Sequence, residues 1–173
     1  LVGSEMCIRD SKKAMIYGDY DVDGITSVAV LHLFFKKFGY KLKANNIQIL
    51  FQKTDDKRVE DFLSKSNYNL KILDFNCWMK LSDDFEVLCL KDGFYDSGLA
   101  IKTCDKTIIN LNDCEITSKA RCEEVLKITG ECDILASQFS YAAWKGGTDN
   151  IEWRKLAAKE KIDSMMLQAH YLK

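Results

Sequence analysis

The chain has 173 residues, of which 47% are hydrophobic and 29% charged, and its formal net charge is −1. This is the balance of a globular protein, and the charge gives no sign of a broad basic surface for nucleic acid. No apolar run is long enough to cross a bilayer and no signal peptide is recognisable, so we expect a cytoplasmic protein with no membrane partner.

The seven cysteines are scattered, and no pair has the CxxC spacing of a zinc site. The sequence holds two histidines, His32 and His170, and both fall in helical runs, where surface positions are expected. We therefore predict reduced, mostly buried cysteines rather than a structural metal cluster.

The first ten residues show no helical or strand period. The string from Val2 to Asp10 resembles the translation of sequencing-adapter read-through, and a native flexible N-terminus is the alternative. We expect residues 1–10 to be non-native and assign them no function.

A short strand, Ala14 to Tyr17, is predicted next, followed by a polar turn and a helix from Ile25 to Gly39. Ligands in such strand-turn-helix units bind at the carboxyl end of the strand. The turn carries three aspartates at alternate positions, Asp19, Asp21 and Asp23. Because these carboxylates repel one another, a cation would stabilise them, and the alternative is a solvated acidic turn.

Beyond this unit, Ile47 to Phe51 reads as a strand, and a helix beginning at 54–56 is expected to turn Val59, Phe62 and Leu63 inward. Short strand-like runs separated by turn residues then predict an antiparallel meander. The runs are Leu70 to Phe75, Trp78 to Leu81, Phe85 to Leu90, Leu99 to Thr103 and Thr107 to Leu111.

A helix is predicted over 118–129, a buried strand over Cys132 to Ala136, and a long helix over 149–170. Asp149 and Glu152 form a possible capping box for the long helix. Its expected inward stripe is Ala158, Ile162, Met165, Met166 and Ala169.

The spacing D-x-D-x-D-G suggests two kinds of metal site. A calcium loop of the EF-hand type needs a glutamate at its twelfth position, where this chain has Val30. The run before the loop is also strand-like rather than helical, so we reject the calcium loop.

The second kind of site comes from a family resemblance over residues 12–40, centred on Gly18 to Ser27. These residues resemble the first motif of the DHH phosphoesterase family, especially its RecJ-type single-strand DNA exonucleases. The resemblance implies a metal-dependent hydrolase acting on single-stranded nucleic acid.

The same resemblance implies roles for individual residues. Asp19, Asp21 and Asp23 would bind manganese or magnesium, and the residues after them would bind phosphate, namely Gly24, Thr26 and Ser27. The Asp-His-His cluster of that family is missing from this chain, so the metal set is incomplete and no catalytic residue is assigned.

Residues 46–173 resemble the central part of a metallo-β-lactamase-fold hydrolase. The resemblance is carried by Ile49 to Gln52, Asp96 to Ala100, Ile109 to Cys114 and Asp133 to Gly146. It implies that Asp113, after a predicted strand, is a ligand of zinc or iron, and a simple turn aspartate is the alternative. The family's HxHxDH motif is missing, so this second metal set is also incomplete.

We therefore expect residues 11–43 to be a DHH-like fragment and 44–173 a metallo-β-lactamase-like fragment, joined as a chimera or truncated product. The expected fold class is α/β, with an N-terminal strand-turn-helix unit before a mixed, partly antiparallel sheet with flanking helices. The sharper motif favours a DHH-type phosphoesterase. We expect this chain to be inactive, because its set of metal ligands is incomplete. A metallo-β-lactamase-fold hydrolase and a non-catalytic remnant are the alternatives.

Overall fold

The computed structural model describes residues 37, 48–65, 69–93, 96–138 and 151–173. The chain divides into two compact units, Leu1–Asp74 and Phe75–Lys173.

In the first unit, two parallel strands are joined by a helix. Strand β1 spans Gln48–Gln52, helix α1 spans Arg58–Lys65 and strand β2 spans Asn69–Leu73. The apolar side chains of Leu50, Phe51 and Leu73 are buried, as expected for parallel strands covered by a crossover helix.

Helix α1 begins at Arg58, later than the sequence predicts, and Asp56 lies in the turn before it. The carboxylate of Asp56 accepts a hydrogen bond from the backbone N–H of Arg58 at 3.0 Å. The prediction that Phe62 faces inward is wrong, since its side chain is 65% exposed. Val59 and Leu63, one turn apart, form the half-buried stripe, and Phe62 lies on its flank.

The second unit contains a five-stranded sheet in the order β3-β4-β5-β6-β7. Its first four strands pair antiparallel with their sequence neighbours, which confirms the predicted meander, and β6 and β7 pair parallel. The strands are β3 Trp78–Ser82, β4 Phe85–Lys91, β5 Ser97–Lys102, β6 Thr107–Asn110 and β7 Ile134–Ala136. The run from Leu70 was predicted to join this meander, but it forms β2 and pairs with β1 instead.

Helix α2, Lys119–Thr129, provides the crossover between the parallel strands β6 and β7. Its first turn is capped by Ser118, whose hydroxyl accepts from the N–H of Arg121 at 3.2 Å. It ends at Gly130, whose φ of 75° lies in the region that favours glycine. The predicted bounds of this helix are confirmed.

Helix α3, Ile151–Leu172, packs against α2, and the predicted inward stripe is confirmed in part, since Ala158 and Met165 are half-buried. Ile162 and Met166 were expected inside but are 59% and 68% exposed, and Ala169 is also exposed. The buried residues are Gln168 and Leu172 instead. The carbonyl of Leu172 accepts from the N–H of Cys132 at 2.8 Å, which fixes the end of α3 beside the start of β7.

The core of the second unit lies between the sheet and these two helices. It contains Leu88, Leu90, Ala100, Ile109, Leu111, Cys114, Ile116, Cys122, Val125, Cys132 and Leu172. Among the described residues, four cysteines are buried and form no disulfide, Cys89, Cys114, Cys122 and Cys132, and Cys77 and Cys104 are exposed and form none either. The prediction of mostly buried thiols is confirmed for the part of the chain that the structure describes. Among those residues no helix is long and apolar enough to span a membrane.

Candidate functional site

Most of the predicted ligands fall outside the described residues. These are the three aspartates of the N-terminal turn and the three phosphate-binding candidates after them: Asp19, Asp21, Asp23, Gly24, Thr26 and Ser27. Of the predicted site residues, Asp113 has a described position.

Asp113 lies in a turn at the carboxyl end of β6, beside the carboxyl end of β7. The N–H of Leu111 donates to Ala136 O at 2.9 Å, which continues the pairing of the two strands past Asn110. Asn112 then adopts a φ of 48°, and its N–H donates to the Asn110 side chain at 3.1 Å. This left-handed residue turns the chain and exposes the carboxylate of Asp113. The ends of parallel strands are where α/β sheets bind their ligands.

Two side chains join Asp113 to helix α3. The amide nitrogen of Gln138, just after β7, donates to Asp113 Oδ1 at 2.5 Å. The amide oxygen of Gln138 accepts from Lys161 Nζ, also at 2.5 Å. Gln138 and Lys161 are both half-buried, so the carboxylate, the amide and the ammonium form one hydrogen-bonded chain at this edge of the sheet.

A second glutamine anchors the same helix. The side chain of Gln168 is 3% exposed, and its Nε2 donates to Ile116 O at 2.9 Å. Its Oε1 accepts from the Ser137 hydroxyl at 2.6 Å. Both ends of this buried amide are therefore hydrogen-bonded, which offsets the cost of removing it from water.

The loop that carries Asp113 is also tied to the end of β4. Asp92 Oδ2 accepts from the N–H of Glu115 at 2.6 Å, and Asp92 Oδ1 lies 3.3 Å from Arg121 Nη2. Cys114, next to Asp113, is buried. Burial, together with the negative charges of Asp92 and Asp96, raises the pKa of the Cys114 thiol and keeps it protonated.

The described residues do not by themselves form a metal centre. Asp113 offers an exposed carboxylate whose orientation is fixed by an amide donor, as is common for metal ligands. No group of three or more His, Cys, Asp or Glu side chains that could hold an ion occurs among the described residues. His170 is exposed on α3 and meets the ring of Tyr171 edge-on at 4.8 Å, as expected of a surface histidine.

Sequence reasoning missed Gln138 and Lys161. Gln138 follows a predicted strand, at the kind of position where ligand-binding residues occur, and this signal could have selected it. Lys161 gave no signal, because it is one of several lysines in a helical run.

No protein-family model matches the sequence, and no curated protein matches it. Among solved structures, the chain is similar to CmlA, a diiron β-hydroxylase from Streptomyces venezuelae, at a TM-score of 0.51 and 14% identity. A mutant of CmlA β-hydroxylase also gives a TM-score of 0.51, at 13% identity. The aligned region covers 73% of this chain, and the chain spans 29–30% of the length of the two CmlA structures.

The metallo-β-lactamase fold protein YhfI from Bacillus subtilis gives a TM-score of 0.47 at 14% identity, over 93% of this chain and 72% of that one. CmlA and YhfI are both metallo-β-lactamase-fold proteins. The likeness to CmlA is one of fold alone, and it agrees with the mixed α/β class expected for the larger part of this chain.

Proposed function

We propose that Phe75–Lys173 is part of a metal-dependent hydrolase domain of the metallo-β-lactamase fold, and that Asp113 is one of its metal ligands. The supporting observation is the place of Asp113, at the carboxyl end of β6 beside β7, with Oδ1 held by Gln138. CmlA, which has a similar fold, is a diiron protein by its own description.

A metal centre of this kind needs more ligands than Asp113 alone. A bound zinc or iron pair would supply a water activated for attack. Asp113 would contribute one anionic oxygen ligand, and Gln138 would keep its carboxylate in a single orientation. The remaining ligands, imidazoles above all, must come from residues outside the described part or from another chain.

Metal binding by the full chain tests the role of Asp113. The chelator-treated protein is loaded with Zn²⁺ or Fe²⁺, and bound metal per chain is measured after desalting. We expect Asp113→Asn to reduce the retained metal by about tenfold or more, because a neutral amide is a weaker ligand for these cations. Asp105→Asn, at another exposed turn aspartate, is the matched control and should retain the wild-type metal content.

Equal metal content in wild type and Asp113→Asn would exclude Asp113 as a ligand. Metal content near zero in the wild type, together with no hydrolysis of ester, thioester or phosphodiester probes, would favour a non-catalytic remnant.

The DHH-like segment supports a second proposal, which rests on the sequence resemblance of residues 12–40 alone. In this proposal Asp19, Asp21 and Asp23 bind manganese or magnesium, and the substrate is single-stranded DNA. Manganese-dependent release of nucleotides that is lost in Asp21→Ala would support it. No nuclease activity with any divalent ion would count against it.

A further inference from the structure

We propose that two copies of this chain associate through helix α3, with the two helices antiparallel across a two-fold axis. The surface that would meet is a row of exposed residues, spaced alternately four and three apart like the seam of a coiled coil. This row is called the outer stripe, and it consists of Glu152, Leu156, Lys159, Asp163, Met166 and His170. The proposal does not depend on a metal at Asp113.

The outer stripe lies on the opposite side of α3 from the residues that attach this helix to its own fold. Those residues are Gln168 and Leu172, which are buried. By helical periodicity Leu156 and Met166 point away from them, and their side chains are 48% and 68% exposed. One side of α3 is therefore fixed to the rest of its unit, and the other presents apolar surface that a partner would bury.

The charges of the outer stripe are complementary to those of the same stripe running in the opposite direction. With the two-fold axis at the level of Lys161, Lys159 faces Asp163 of the second copy, and Glu152 faces His170. An ammonium group thus meets a carboxylate, and an imidazole can donate to another carboxylate. In a parallel pair each residue would face its own counterpart, so that lysine would oppose lysine and aspartate would oppose aspartate.

The central charges of the outer stripe are available to a second copy. Among the described residues, neither Lys159 nor Asp163 takes part in an ion pair or a hydrogen bond. They lie four residues apart with the lysine first, which is the less favourable order for an ion pair within one helix. Glu152, by contrast, already pairs with Lys155 at 3.0 Å, so the central charges carry the argument.

Apolar contacts flank the central charges in this arrangement. Leu156 faces Met166 of the second copy on both sides of the axis, and Ile162, which is 59% exposed, lies beside the stripe near the axis. Six residues from each copy form a much smaller surface than the roughly 20–30 residues of a standard interface. We therefore infer a weak and reversible dimer.

Sedimentation velocity of the full chain, over a wide range of protein concentration, tests the proposal. We expect the sedimentation coefficient to rise with concentration from the monomer value towards that of a dimer. Lys159→Glu should raise the Kd of the dimer by about tenfold or more, because it sets carboxylates against each other at two symmetry-related places. Asp163→Lys should do the same with ammonium groups. Lys127→Glu, an equal change of charge at an exposed position on α2, should dimerise like the wild type.

A double variant identifies the relative direction of the two helices. Lys159→Glu combined with Asp163→Lys exchanges the two charges within one chain, so opposite charges still face each other across an antiparallel pair. The double variant should therefore recover the wild-type Kd that each single variant loses. Both substitutions are at exposed positions, and circular dichroism of each variant shows that the fold is retained.

Three outcomes would overturn the proposal. A wild-type chain that stays monomeric at every concentration would exclude the dimer. A dimer that Lys159→Glu does not weaken would have its interface elsewhere. A double variant that dimerises no better than the single variants would exclude the antiparallel pairing of Lys159 with Asp163.

Discussion

Gly98 occupies a place in β5 where a side chain has almost no room. A Cβ at this position would lie 3.0 Å from Asn110 O and 3.4 Å from Cys114 Sγ. The oxygen belongs to the backbone of β6, which cannot move without disturbing the strand pairing next to the Asp113 turn. The absence of a side chain at 98 therefore allows the close approach of β5 to this turn.

Gly98→Ala should lower the free energy of unfolding by about 1–3 kcal/mol, the range for forcing an extra methyl group into a packed core. Urea denaturation followed by circular dichroism measures it. Gly130→Ala is the comparison, because at Gly130 there is open space and the cost arises from φ alone. A Gly98→Ala protein as stable as the wild type would mean that the strands separate easily here.

Asp133 ties the start of β7 to the start of β6. Its carboxylate accepts from Lys106 Nζ at 2.9 Å and from the N–H of Thr107 at 2.8 Å. The hydrogen bond from Lys106, with that of Thr107, lowers the pKa of Asp133 from its usual 3.8. The ionised form is therefore favoured in the folded state.

This lowered pKa predicts a dependence of stability on pH. A carboxylate whose pKa is lower in the folded than in the unfolded protein stabilises the fold at pH values above its unfolded pKa. That contribution is lost as the pH falls through the folded pKa. The stability difference between wild type and Asp133→Asn should therefore be constant near pH 6 and should shrink below about pH 3.8. Urea midpoints measured across this range test it, and a pH-independent difference would contradict the prediction.

At the scale of single elements, helix α2 depends on its N-cap. Ser118→Ala removes the acceptor for the N–H of Arg121 and should cost about 1 kcal/mol of stability. Ser118→Asp retains an acceptor and serves as the control. If urea denaturation gives the same stability for wild type and Ser118→Ala, water replaces the cap without loss.

Helix α3 shows why a hydrophobic stripe did not predict the buried face. Apolar residues occur on more than one side of this helix, so the pattern of Ile162 and Met166 competes with that of Leu172. The inner face includes Gln168, which is buried because two partners on other elements satisfy its amide. Sequence periodicity carries no information about such distant partners, and hydropathy counts glutamine as a surface residue.

The strands were predicted more accurately because their signals are local. Phe85 to Leu90 was expected as a strand, and β4 spans Phe85–Lys91 with Val87 to Leu90 fully buried. Turn residues mark the hairpins on both sides of it. The pairing of β2 with β1 was missed, because a parallel partner is chosen by a crossover that the strand's own residues do not reveal.

At the candidate site, too, local signals were predicted from the sequence and contacts between distant residues were not. A family resemblance directed attention to Asp113, which lies at the expected end of a strand. Gln138, 25 residues after Asp113, donates to its carboxylate. Lys161, 23 residues after Gln138, donates to the amide oxygen of Gln138, and the spacing of residues in the sequence does not reveal such contacts. The position of Gln138 after a predicted strand was a local signal, whereas Lys161 could be selected only once the fold was known.

The thiols of the second unit provide a test of the packing as a whole. Iodoacetamide at pH 8 should label Cys77 and Cys104, which are exposed, and leave Cys89, Cys114, Cys122 and Cys132 unmodified until the protein unfolds. Peptide mass spectrometry before and after addition of urea measures this directly. Fast native labelling of Cys114 would contradict both its burial and its raised pKa.

The order of strands in the sheet also has a kinetic consequence. Strands β3 to β6 pair with their immediate neighbours along the chain, so each pairing closes only a short loop. Strand β7 can pair with β6 only after the crossover helix has formed, and α3 docks after β7. We expect substitutions in β4 and β5 to slow refolding. Substitutions where β7 and α3 are in contact should chiefly increase the rate of unfolding. The end of the sheet that bears Asp113 would then be the last to assemble and the first to open.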